Sequence, residues 1–303
     1  MTPDTSADTA VPTTVPTAVS TSVPTERAAG TRPPVLTLAG WWSWGRRLIA
    51  PAAVFAVIIG VWYLASYLML NADQRFLLPP PHRVAAVGFL DWNNLSDLLA
   101  ALGRTAKVAA VGLVGAGVVG VGAGILMDQA RWLEQALMPW AILLQTMPIF
   151  ALAPLFGFWW GFGLFPRVLV CVLFGLFPIL TTTLFGLRSA DPQLHELFTL
   201  HQVSRWVRLW RLQLPAALPS ILTGLRTSAG ACVIGAVVGD LFFASGPPGL
   251  GILIQLYLQR LATEQMFAAA ILAAAFGVAV FAVFGALARH TAGRWHPAAG
   301  RRT

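Results

Sequence analysis

The residues able to do chemistry in this chain are sparse, and their spacing decides what kind. Between Leu187 and Leu214 a polar stretch carries Glu196 and four arginines, Arg188, Arg205, Arg208 and Arg211, interleaved with Leu197, Trp206 and Trp210. Charges alternating with large apolar side chains suit docking rather than bond-making. The apolar face fills a protein groove or lies at headgroup level, and the guanidinium groups meet anionic partners. Gln145-Thr146-Met147-Pro148 sets polar side chains beside a proline that frees a helical carbonyl. That pattern fits a water-filled cavity or a bent packing helix. Asp240 closes the otherwise apolar run from Thr227 to Gly239. An acid there is costly and calls for a partner, either as a gate or pathway residue or as a structural carboxylate at the outer end of a helix. Arg226 lies a turn or two into the same span, where its long side chain can snorkel to the interface.

Other chemistries find no support. The chain has no glycine-rich phosphate loop with its lysine, no His-Glu metal spacing and no Gly-x-Ser-x-Gly elbow, and its five histidines are scattered. No catalytic residue, cofactor or metal site is expected, so an enzyme is not. Cys171 and Cys232 fall in separate apolar spans and read as small buried hydrophobes.

The elements that must position these residues are membrane helices. Of 303 residues, 57% are hydrophobic and only 11% charged, too little charge to cover a soluble domain. Uncharged runs at Leu48–Leu70, Val108–Met127, Gln135–Pro166, Val168–Leu187 and Gln265–Ala288 each reach the roughly 20 residues that cross about 30 Å of hydrocarbon. A sixth span starts near Pro219. Lys and Arg concentrate on the side that holds Arg46, Arg47, Arg131, Arg188 and Arg205, so the net charge of +8 reports orientation rather than nucleic-acid binding. The positive-inside rule then gives an all-α membrane protein with six transmembrane helices and both termini cytoplasmic.

Residues 1–38, rich in Thr, Pro, Ala and Ser, read as a disordered cytoplasmic tail, residues 39–290 as the transmembrane domain, and residues 291–303 as a basic cytoplasmic tail. Leu95, Leu98, Leu99 and Leu102 predict an amphipathic helix in the outer segment that follows the first span, lying on the membrane or on a neighbouring helix. The glycines from Gly112 to Gly124 predict a helix packed closely on others, in this subunit or a second copy. In the polar stretch, Asp191-Pro192 reads as an N-cap with proline at the first helical position, and Ser204 as the cap of a second short helix. That second helix would put Trp206, Leu209 and Trp210 on one face and end at Pro215.

From Glu196 to Arg226 the chain resembles the cytoplasmic signature of permease subunits in binding-protein-dependent ABC importers. Glu196 stands at the signature glutamate, and Leu214-Pro215-Ala-Ala-Leu-Pro219 followed by Thr223-Gly224-Leu225-Arg226 is close to the family form. Ser204-Arg205-Trp206, Pro148 to Pro154 and Gly249-Leu250-Gly251 are similar to the nitrate, sulfonate and taurine branch. The likeness covers about residues 45–290. Leu197 and Phe198 replace two alanines of the pattern, and Gln202 stands where it has glycine, so the turn between the two short helices must form without glycine's freedom.

The resemblance implies a coupling helix between spans 4 and 5. Glu196, Leu197, Gln202, Arg205, Trp206, Leu214, Pro215 and Pro219 would dock on a separate ATPase, which alone uses ATP. It implies a translocation pathway, for which Gln145, Thr146, Pro148 and Asp240 are the candidates. It also implies a second permease subunit, in a homodimer, an external substrate-binding protein, and a bacterial inner membrane. The solute would be a small anion such as nitrate, a sulfonate or taurine, or else a pyrimidine-type precursor. The competing class is a secondary transporter or channel that works without an ATPase; it would carry internal repeats, and none is visible.

Overall fold

The computed structural model describes residues 39–243 and 246–292, and the tails expected at 1–38 and beyond 292 lie outside the described residues. The described residues up to Val54 and those from Phe55 onward fall in two units, and the packing below belongs to the second. The α-helices among the described residues are α1 (Ala39–Leu64), α2 (Pro81–Ala85), α3 (Trp92–Gln129), α4 (Arg131–Thr146), α5 (Ile149–Trp160), α6 (Leu164–Arg188), α7 (Pro192–Leu200), α8 (Arg205–Arg208), α9 (Leu214–Phe242), α10 (Leu250–Gln259) and α11 (Thr263–Ala292), and among these residues there is no strand. Five helical segments are long and apolar enough to cross a membrane, and a bent pair, α4 with α5, makes a sixth if it counts as one span.

The leucines from Leu95 to Leu102 do fall on an amphipathic helix packed on its neighbours, as the first turns of a longer helix. Asp91 accepts from the Asn93 N–H at 3.0 Å and starts α3, which then runs unbroken for 38 residues. Leu98 is buried against α10 and α11 in one hydrophobic cluster. Gln135–Pro166 is broken by a sharp bend, as one broken span or as two shorter helices. Met147, the residue before Pro148, is driven into an extended conformation, and the helices on either side meet at 107°.

The centre of the fold is α9 packed along α6, with α3 and α11 against the pair. Lipid gives no hydrophobic drive to such pairings, so close backbone approach supplies the contact. At Gly112 on α3 a Cβ would fall 2.2 Å from the Cys171 Cβ, and at Gly224 on α9 a Cβ would fall 1.9 Å from the Thr182 hydroxyl. The expected close glycine packing is therefore internal to the subunit for Gly112, Gly120 and Gly124, which all meet α6. Both cysteines sit in this core as free buried thiols, and Cys232 donates to the Cys171 carbonyl at 3.4 Å. Facing away from the core, α11 exposes Val278, Val283 and Leu287, a surface suited to hydrocarbon.

Candidate functional site

Three arrangements hold the residues singled out above. The first is the hairpin of α7 and α8. Asp191 accepts from the Gln193 N–H at 2.9 Å with Pro192 at the first turn, so α7 starts where the sequence signals it. It ends in a Schellman motif: the Val203 N–H donates to Phe198 O at 3.1 Å and the Gln202 N–H to Thr199 O at 3.0 Å. Gln202 takes φ 51°, the left-handed conformation that a glycine would adopt freely. The turn is thus kept with a side chain that resists it.

Ser204 caps α8 at the Val207 N–H, and Arg208 ties the arms together by donating to the Thr199 hydroxyl at 2.9 Å. Contrary to expectation, Pro215 does not end this helix. A π-turn over Leu209–Gln213 widens the helix just before the proline and leads directly into α9. Arg205–Phe242 is therefore one continuous 38-residue helical segment. Leu209 consequently turns inward onto Leu187, Ala217 and Ile221, away from Trp206 and Trp210. Leu200, Trp206 and Trp210 are 80%, 65% and 68% exposed beside Glu196, Leu197, Arg205 and Arg211, all at the surface.

Beneath the hairpin lies an ion network with no local sequence signal. Arg188, at the end of α6, grips the Glu134 carboxylate with two donors at 2.9 and 2.6 Å. It also lies 3.7 Å from Asp128, whose other oxygen accepts from Gln213 at 2.9 Å. The ends of α3 and α6, the start of α4 and the turn into α9 are thereby fixed to one another.

The second arrangement surrounds Asp240, which was grouped with the pathway candidates and is 1% exposed inside the subunit. Its carboxylate accepts from the Thr105 hydroxyl at 2.7 Å and from Arg167 at 3.2 Å. Arg167 also donates to the Phe243 carbonyl, and Thr105 accepts from the Leu250 N–H at 2.9 Å. Gly249 and Gly251 let α10 close over this acid, since a Cβ at Gly249 would fall 1.9 Å from the carboxylate. Asp240 thus clamps α3, α6, α9 and α10 together, and the Gly-Leu-Gly motif is the lid of that clamp. Arg167, the one residue between the uncharged runs Gln135–Pro166 and Val168–Leu187, is its buried partner. The Arg226 guanidinium lies 4.1 Å from the centre of the Phe281 ring.

The third arrangement is an open groove on the opposite face of α9. One hollow of about 430 Å³ is lined by Thr181, Thr182, Phe185, Pro219, Ser220 and Thr223. A second, about 420 Å³, lies at the α4–α5 break, between Gln145, Met147, Pro148, Phe174, Phe177, Pro178 and Ala231. The two adjoin along α6, because Thr181 follows Pro178 by less than a turn. Gln145 and Pro148 therefore do share a cavity wall. Thr146 is exposed at the break with its hydroxyl donating to Leu143 O at 3.1 Å. No charged residue lines either hollow.

A bundle of membrane-length helices with an uncharged groove and an exposed basic hairpin defines an integral membrane transport component. Residues 116–294 match the model of the binding-protein-dependent transport system inner membrane component family. The chain is 31% identical to the formylaminopyrimidine transport permease protein of Halalkalibacterium halodurans over 77% of its own length and 91% of the relative's. It is 34% identical to the riboflavin transport system permease protein of Chloroflexus aurantiacus over 73% and 81% of the two chains. With the taurine transport system permease protein of Escherichia coli it shares 29% identity over 81% and 87%. The chain belongs to this family and is a permease subunit of a binding-protein-dependent ABC importer, of the nitrate, sulfonate and taurine type. The family is one of transport permeases, not of enzymes.

Proposed function

We propose that this subunit forms one wall of the solute pathway along the α6–α9 groove and takes its motion from a separate ATPase through the α7–α8 hairpin. The observation that carries this reading is the continuous segment Arg205–Phe242. The same helix bears exposed Arg205 and Trp206 at one end and Pro219, Ser220 and Thr223 in the groove. A rigid-body push on the hairpin therefore moves the groove wall directly, with Leu214 and Pro215 at the junction. The apolar side chains of Leu197, Trp206 and Trp210 fit a protein cleft, and Glu196 and Arg205 offer charges to its rim.

The groove faces a second permease subunit in a homodimer, because hydroxyls on a membrane-spanning face are poorly matched to hydrocarbon. An external substrate-binding protein delivers the solute, and ATP is bound by the partner ATPase alone. The hairpin and both termini lie in the cytoplasm of a bacterial cell, with the spans in its inner membrane. The test is reconstitution of permease, ATPase and binding protein in proteoliposomes. Glu196→Ala and Trp206→Ala are expected to leave insertion intact and lower uptake per ATP hydrolysed by roughly tenfold or more, the loss of one interface anchor. Coupled uptake at the native ratio in both variants, or uptake with no ATPase bound, would refute the reading.

A further inference from the structure

A cation without a counter-ion lies beside a hollow without a polar side chain. Arg226 stands inside the membrane-length segment Arg205–Phe242, and among the described residues it forms no salt bridge. Its Nε is buried and has no hydrogen-bond partner among those residues. The Phe281 ring offers the guanidinium a π face but no negative charge. Gly285 gives it room, since a Cβ there would fall 2.8 Å from Nε. The depth is that of lipid headgroups. The α11 span, Thr263–Ala288, has 26 residues and rises about 39 Å, whereas the hydrocarbon layer is about 30 Å thick. Phe281 and Gly285 lie in its last two turns, so Arg226 sits where that layer gives way to phosphates.

From this arginine an apolar hollow of about 370 Å³ runs between α3, α9 and α11. Ala109, Ala229 and Val233, all buried, lie at its floor, and Val114, Val280 and Phe284 stand at its rim. Ala229 and Val233 follow Arg226 by one and two turns, while Val280 and Phe284 come just before Phe281 and Gly285. The guanidinium therefore closes one end of the hollow. None of these residues lines the α6–α9 groove. A free anion would gain nothing from the apolar floor, and an uncharged chain nothing from the arginine. A zwitterionic headgroup carries its own cation beside the phosphate; an anionic one leaves the phosphate to Arg226. We propose that the hollow is a binding site for an anionic phospholipid, with an acyl chain along α9 and α11 and its phosphate accepting from Arg226.

The test places the purified full-length protein in mixed micelles with equal amounts of phosphatidylglycerol and phosphatidylcholine of the same acyl chains. Native mass spectrometry counts the lipid that stays bound. Phosphatidylglycerol should be retained about tenfold over phosphatidylcholine, the ratio that one hydrogen bond to a charged group gives. Arg226→Met should bring the two lipids to parity, and Arg226→Lys should keep a preference. Val114, 68% exposed at the rim, can be enlarged without crowding the core, and Val114→Trp should fill the hollow and lower retained phosphatidylglycerol severalfold. This variant decides the matter should Arg226→Met fail to fold. Equal retention of the two lipids by the native protein overturns the proposal, as does a phosphatidylglycerol preference that survives Arg226→Met. Native retention by Val114→Trp overturns it too, and displacement of the lipid by millimolar inorganic phosphate would show a site for a free anion instead.

Discussion

Asp240→Asn separates a structural clamp from a gate. The substitution keeps the shape and removes the charge, so the buried Arg167 guanidinium loses its carboxylate partner. The Asp240 and Arg167 side chains are 1% and 7% exposed and 3.2 Å apart. Neither can recover water when the other is lost, and breaking such a buried pair costs about 3–5 kcal/mol. For a chain of this length, about 2–4 °C per kcal/mol puts the loss in melting temperature at roughly 6–20 °C. Arg167→Met should cost a similar amount by stranding the acid. The double variant Asp240→Leu with Arg167→Met removes both charges and is expected to recover most of the loss, because well-packed apolar replacements of buried pairs are often neutral. Thermal unfolding of the purified complex measures all three. Uptake per ATP hydrolysed, measured below the melting temperature, should stay near the native value. The clamp is refuted if Asp240→Asn leaves the melting temperature unchanged while abolishing uptake, or if the double variant is as unstable as the two singles combined.

Gln202→Gly should slow amide exchange at Val203, since glycine relieves a left-handed residue that costs roughly 1–2 kcal/mol, less about 0.5–1 kcal/mol of its own chain entropy. Faster exchange than in the native protein would show that the turn is held by something other than its backbone. Gly112→Ala drives a methyl into Cys171 and should destabilise the protein by about 1–3 kcal/mol, as overpacking does. Combining it with Cys171→Gly should recover part of that loss; a wild-type melting temperature for Gly112→Ala alone would mean that α3 and α6 are farther apart than described.

Local signals in the sequence located the helix starts well, because caps act over a few residues. Asp191, Pro192 and Ser204 mark the starts of α7 and α8 where they occur, and the apolar runs mark the spans. What escaped was set at long range. Asp240 demands a partner on grounds of burial alone, but Arg167 lies 73 residues away and reads locally as a loop cation. Arg188 likewise reads as one more positive charge of a basic stretch, and its bidentate hold on Glu134 spans 54 residues. Pro215 reads as a stop because proline usually breaks a helix, and the π-turn that absorbs it has no sequence mark. The groove was half legible: Gln145 and Pro148 stood out by type, while Thr181 and Thr182 carry no signal of their own and Thr223 figured only in the family-like run before Arg226. That these residues meet across one hollow requires coordinates.

The two faces of α9 divide labour in a way that bears on how such a subunit can change. Ile221, Gly224, Ser228, Cys232, Gly235 and Asp240 are buried and hold the helix to its neighbours, while Ser220, Thr223 and Ala231 stand toward the groove. Substitutions on the groove side disturb few packing contacts, so they can alter solute preference at little cost in stability. Drift on the buried side is punished at once. A lineage can therefore re-tune what it carries by a few changes along one stripe of a single helix, while the assembly and its drive train stay as they were.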